Sequence, residues 1–171
     1  IKQEVVESAF KFAKKIGMVT LLNPAPVPAG GVSRSLLKNT DILVPNETET
    51  AAICGFSVST QEDLRRAVAD LKERGVGSVY ITMGKYGSYF SDGETEKQIK
   101  IFPVRVVDTT AAGDTTIGAL AYRLAYGYTA KSSMEFCAAA LALTVSRSGA
   151  QQSIPFAEEV TAFLKDNGLL K

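Results

Sequence analysis

DTTAAGDTTIG, Asp108 to Gly118, marks the point where the chain changes character. Before it lies IFPVRVV (101–107), a branched apolar run that reads as a strand, and after it comes GALAYRLAYG (118–127), a small-residue helix. Ala111, Ala112 and Gly113 stand between them, followed by Asp114. Two accounts fit this spacing. Asp caps helices and small residues pack closely, so the segment can be plain punctuation. Alternatively, a helix N-terminus presents unpaired N–H groups and the positive end of the helix dipole, and a first turn without bulk lets an anion reach them. Gly113 then supplies any unusual backbone angle, and Asp114 stands beside the anion, next to where a hydroxyl would attack.

Outward from this stretch the chain alternates between helical and strand patterns. Val5, Val6, Ala9, Phe12, Ala13 and Ile16 recur at helical spacing up to Gly17, predicting an opening helix. MVTLL (18–22) reads as a buried strand entering the Pro- and Gly-rich loop NPAPVPAGG, and DILV (41–44) as a second strand stopped at Pro45. One or two helical turns over 33–40 separate them, and a short helix follows over 46–55. The clearest helix is TQEDLRRAVADLKERG (60–75), with Leu64, Ala67, Val68 and Leu71 on one face. SVYITMG (78–84) is a third strand, and Asp92-Gly93 between alternating stretches predicts a hairpin. Three helices follow, over about 114–126, 131–147 and 156–167. Strands alternating with helices predict an α/β fold with a mostly parallel sheet covered on both faces, in one domain. Ile1 falls inside a helical pattern, and few strands serve many helices, so the expectation is the C-terminal part of a longer polypeptide.

Composition narrows the functions available. Lys and Arg number 19 against 18 Asp and Glu, so no long-range field selects nucleic acid or an acidic membrane. No apolar run is long enough to span a bilayer. Cys54 and Cys137 lack metal or redox spacing and read as free thiols in a reducing cytoplasm. The chain has no histidine, which removes imidazole bases and leaves proton transfer to carboxylate, Lys or Tyr.

Four further motifs follow strands. Asn46 and Glu49 stand at i and i+3, which suits either a capping box or a ligand site. Thr82, Gly84, Lys85 and Gly87 lie in TMGKYG, which is a turn or a phosphate loop, and Asn23 opens NPAP. All fall at the C-terminal ends of parallel strands, the edge where open α/β sheets bind ligands. No Walker-type loop or GxGxxG fingerprint is present.

LNPAP, DILVPNETE, ITMGKYG, DTTAAGDT and SRSGAQQSIP occur in the order and spacing of the ribokinase family of carbohydrate kinases, the PfkB-type group, which the chain resembles along its whole length. The resemblance implies a ribokinase-like three-layer α/β/α sandwich, with residues 1–171 as its nucleotide-binding and catalytic portion and the sugar-binding half and β lid upstream. It implies an ATP-dependent sugar kinase, most simply one making ribose 5-phosphate. Fructose derivatives, nucleosides and heterocyclic alcohols are alternative acceptors, and a non-catalytic nucleotide-binding or assembly module is the reading from another class. Asp114 matches the catalytic base; Ala111, Ala112 and Gly113 the anion hole; Asn46 and Glu49 the element that organises Mg²⁺ through water and the triphosphate. Thr82, Gly84, Lys85 and Gly87 match the nucleotide loop. Asp108, Thr110, Thr144, Arg147, Gly149 and Ser153 match loops holding a monovalent cation, K⁺, largely through backbone oxygens. A homodimer of the intact protein is expected from the same likeness, while a cytoplasmic location and the absence of a nucleic-acid or membrane partner are expected from the free thiols, the balanced charge and the lack of a long apolar run. Thr116, Ile117 and Ala138 depart from residues common in the family near substrate and adenine.

Overall fold

A computed structural model describes residues 1–170, which form two compact units: Ile1–Gly84 with Tyr89–Lys97, and Lys85–Ser88 with the residues from Gln98 onward. The chain order is α1 (Gln3–Lys15), β1 (Leu21–Leu22), α2 (Arg34–Lys38), β2 (Ile42–Leu43), α3 (Glu47–Cys54), α4 (Gln61–Glu73), β3 (Ser78–Thr82), β4 (Ser88–Ser91), β5 (Glu96–Ile99), α5 (Ala112–Ala125), α6 (Met134–Val145) and α7 (Ala157–Asp166).

One sheet runs in the order β1-β2-β3-β4-β5. β1, β2 and β3 are parallel, with Leu21 beside Ile42 and Ile42 beside Ser78. The links from β3 to β4 and from β4 to β5 are too short for a crossover, so the last two strands turn back on themselves. Asp92 closes the second turn by accepting from the N–H groups of Glu94 and Thr95. This agrees with the α/β reading, although the strands at 18–22 and 41–44 shrink to two residues each.

α4 forms as its pattern dictates. Thr60 and Asp63 make a reciprocal capping box at its start, and Leu64, Ala67, Val68 and Leu71 are buried in the core with Leu37, Leu43, Val79 and Ile81. α1 behaves differently. Val6 and Phe10 pack against that core, while Val5, Phe12 and Ile16 stay exposed, so the apolar positions divide over two faces.

In the second unit, α6 packs against both α5 and α7. Its core comprises Phe136, Ala139, Ala140, Val160 and Leu164, with Phe102 meeting Phe163 edge-on at 5.1 Å. The run 101–107 is not a strand, contrary to its composition. Pro103 offers no N–H for a ladder, Val106 and Val107 are exposed, and the N–H groups of Val107 and Asp108 both go to the carbonyl of Val145. The segment is therefore pinned to the end of α6.

Candidate active site

In the first unit, three parallel strands end on one rim. Asn23, just past β1, donates its side-chain amide to the carbonyl of Val44 at 2.6 Å. Asn46, just past β2, bridges in parallel to Thr82 at the end of β3, and Thr82 donates its N–H to the carbonyl of Pro45 at 3.0 Å. Asn23, Asn46, Thr82 and Gly84 thus share the edge at which α/β sheets hold ligands.

Asn46 and Glu49 make both bonds of a capping box: the N–H of Glu49 donates to Asn46 Oδ1, and the N–H of Asn46 donates to Glu49 Oε2, each at 2.8 Å. The capping account of this pair is therefore realised. It leaves Glu49 Oε1 and the Asn46 Nδ2 group outside the box, so a ligand role is compatible with it. A divalent ion here would find one protein carboxylate. No group of three or more His, Cys, Asp or Glu side chains suited to a metal occurs among the described residues. Such a site fits Mg²⁺ only where water and phosphate oxygens complete the shell, which is its common habit.

The two glycines of the 82–87 loop have different reasons to be glycine. Gly84, at φ 47°, has open space where a side chain would project, which suits a ligand lying against the backbone. At Gly87, φ 93°, a Cβ would fall 1.8 Å from the carbonyl oxygen of Ile99. Its absence of a side chain is explained by backbone packing alone. Lys85 is exposed, with Nζ 5.1 Å from the centre of the Tyr86 ring.

In the second unit, α5 starts without any side-chain cap. Ala111 takes the left-handed conformation at φ 61°, the only non-glycine described residue to do so. An L-residue there costs about 1–2 kcal/mol. The sequence pointed to Gly113 for the unusual angle; the structure puts it two residues earlier, where the chain must reverse into the helix. The N–H of Ala112 bonds the carbonyl of Thr109, and that of Thr115 bonds the carbonyl of Ala111. Between them, the N–H groups of Gly113 and Asp114 are the helix-end donors for which no partner occurs among the described residues. A Cβ built on Gly113 would meet nothing within 4 Å, and both Gly113 and Asp114 are exposed. This turn can accept an anion on its backbone, with a carboxylate alongside.

Asp108 locks the turn from behind. Its Oδ1 accepts from the N–H of Thr110 at 2.9 Å and its Oδ2 from the N–H of Gly149 at 3.0 Å. The Thr110 hydroxyl and these two N–H groups hold its carboxyl down at about 2. Thr144 is fully buried, its hydroxyl donating to the carbonyl of Ala140 and meeting Thr115 Oγ at 3.0 Å. Arg147 pairs with Glu159 at 2.5 Å, so its carbonyl is the group left for a cation. Ser153 is buried with its hydroxyl on the carbonyl of Ala150. Asp108, Thr110 and Gly149 are thus in direct contact, whereas the side chains of Thr144, Arg147 and Ser153 have partners elsewhere. A monovalent cation bound here would have backbone carbonyls and the remaining lone pairs of Asp108 as its donors.

Thr116 is buried and donates to the carbonyl of Ala112 at 3.0 Å, which fixes the first turn of α5. The Thr115–Thr144 contact and the Ala111 conformation were missed in the sequence. A buried threonine pair joining two helices leaves no local pattern.

A profile of the pfkB family carbohydrate kinase matches residues 1–157. The chain is 41% identical over 154 residues to the ribokinase of Staphylococcus aureus, covering 90% of this chain and 50% of that protein. It is 40% identical over 167 residues to the bifunctional ribokinase/ribose-5-phosphate isomerase A of Fructilactobacillus sanfranciscensis, covering 97% of this chain and 31% of that one. Among solved structures, Arabidopsis thaliana ribokinase complexed with ribose and ATP superposes with a TM-score of 0.88 at 35% identity, over 96% of this chain and 53% of that one. The chain spans half or less of the length of these curated relatives. The ribokinase-like fold expected from the motifs is thereby established, and with a family profile running from Ile1 through the 108–114 turn to α7, the chain belongs to the pfkB family of carbohydrate kinases.

Proposed function

We propose that this chain supplies the nucleotide-binding and phosphoryl-transfer portion of a cytoplasmic ATP-dependent sugar kinase whose acceptor is ribose and whose product is ribose 5-phosphate. The observation that carries the reading is the start of α5, which has no side-chain cap and where a Cβ built on Gly113 would meet nothing within 4 Å, next to the exposed Asp114. The likeness to a ribokinase complexed with ribose and ATP supports the choice of nucleotide and sugar.

Phosphoryl transfer needs little covalent participation by protein; it needs alignment and stabilisation of charge on the phosphoryl oxygens. In this reading the N–H groups of Gly113 and Asp114 hold the terminal phosphate, with Ala111 and Ala112 shaping the turn. The Asp114 carboxylate accepts the proton of the sugar hydroxyl as its oxygen bonds to phosphorus and the bond to the ADP oxygen breaks. Asn46, Thr82, Gly84 and Lys85 bind the nucleotide's phosphates and ribose, and Gly87 keeps their loop in place. Glu49 would hold Mg²⁺ through water, where the ion offsets phosphate charge. Asp108, Thr110, Thr144, Arg147, Gly149 and Ser153 would hold K⁺ behind the turn, adding positive charge near the anion hole.

A panel of sugars and alcohols offered with MgATP to the protein in its full natural length, with and without K⁺, tests this. Ribose should be the best acceptor and K⁺ should raise the rate. Turnover confined to a nucleoside, a fructose derivative or a heterocyclic alcohol overturns the assignment of ribose.

A further inference from the structure

Both ends of the segment carrying Ala111–Asp114 are anchored on adjacent residues of α6. Upstream, the N–H groups of Val107 and Asp108 donate to the carbonyl of Val145 at 2.8 and 3.2 Å. Downstream, the hydroxyl of Thr115 lies 3.0 Å from that of Thr144. Each threonine has one hydroxyl proton. That of Thr144 goes to the carbonyl of Ala140 at 3.0 Å, so Thr115 donates and Thr144 accepts. A buried helical threonine ordinarily bonds the carbonyl four residues back, as Thr116 does with Ala112. Thr115 reaches across to another helix instead, while its N–H holds the carbonyl of Ala111, the residue at φ 61°. Thr115 is 3% and Thr144 0% exposed, so the bond is made away from water.

We propose that Thr115 is a positioning residue for phosphoryl transfer, acting through Thr144 to fix the Gly113 and Asp114 N–H groups and the Asp114 carboxylate relative to α6. This rests on the reading of the turn as an anion hole with Asp114 as proton acceptor. Distance is what the hydroxyls supply. They meet at 3.0 Å, whereas two methyl groups in their place settle about 3.5–4.0 Å apart. Valine at both positions keeps the volume and the burial but moves the start of α5 away from α6 by roughly 0.5–1 Å. A misplacement of about 1 Å can lower turnover about a hundredfold. The Val145 anchor would remain, so one end of the segment stays fixed while the end next to Asp114 shifts.

Steady-state kinetics of the full-length enzyme, with thermal melts and calorimetric titration of ADP, test this. The double variant Thr115→Val/Thr144→Val leaves no buried hydroxyl unpaired and should melt close to wild type. Its kcat should nevertheless fall about ten- to hundredfold, with the sugar KM and the ADP affinity within about threefold. Thr115→Ser keeps the hydroxyl and loses a buried methyl, so it should melt lower yet keep kcat within about twofold. Turnover and melting temperature thus move in opposite senses, which a merely structural role would not produce. A double variant with normal kcat, or a serine variant as slow as the double valine, overturns the proposal. Asp114→Asn measured alongside separates it from the reading beneath it. If Asp114→Asn is slow and the double valine is not, the threonine pair alone is rejected; if Asp114→Asn turns over normally, or no sugar is phosphorylated by wild type, both fall.

Discussion

Replacing Gly113 with Val separates a ligand-binding turn from a plain helix start. A Cβ at this position meets no atom within 4 Å, and the residue lies outside the left-handed region. The fold should therefore tolerate the change. Val is a better helix former than Gly, which offsets any loss by roughly 0.3 kcal/mol. In the proposed reading, the side chain enters the space that a terminal phosphate would occupy against the N–H groups of Gly113 and Asp114. Hydrogen bonds to a charged group contribute about 1.5–3 kcal/mol each, so losing both should weaken MgATP binding by more than about a hundredfold. ADP lacks the terminal phosphate and should bind almost unchanged. Calorimetric titration of both nucleotides into wild type and Gly113→Val, with thermal melts alongside, gives the comparison. A variant that melts like wild type and binds MgATP equally well would refute the anion hole, as would equal losses for ATP and ADP.

In the full-length enzyme, Asp114→Asn should lower turnover by about 10²–10⁴ with MgATP affinity retained, as expected when a positioned proton acceptor is lost; near-normal steady-state turnover would reject that role. Asp108 titrates at about 2 in the folded chain because Thr110 and Gly149 donate to its carboxylate, below its unfolded value of about 3.9. Its contribution to stability is complete above about pH 4 and is lost as pH falls towards 2. Tm measured across that window should therefore fall less steeply in Asp108→Asn than in wild type, and superimposable profiles would mean the latch is not formed. Burial, aided by a hydrogen bond with Asp70, pushes the Cys54 thiol up to about 12, and Cys137 is buried. A thiol-disulfide reagent at pH 8 should leave both unmodified until denaturant is added, and rapid labelling of the native chain would contradict this environment.

What the sequence determined by itself is everything written at helical or strand period and in short capping motifs. α4 was legible because Thr60, Asp63 and the Leu64–Leu71 face are all local signals. The rim was legible because Asn23, Asn46 and Thr82 each follow an apolar run, and parallel strands align such ends. The role proposed for Asp114 came from the resemblance of its surroundings to a family rather than from its spacing alone. Tertiary structure decided the rest. The apolar run at 101–107 has strand composition, but a strand requires a neighbour, and its last two N–H groups found the Val145 carbonyl instead. Gly87 and Gly84 look alike in sequence and differ only because Ile99 lies against one of them. The strained angle sits at Ala111 and not at Gly113 because the chain, held by Asp108 to Thr110 and Gly149, has to reverse there to enter α5. Period and caps depend on neighbours a few residues away, whereas steric contact, ladder partners and strain depend on residues brought together by the fold.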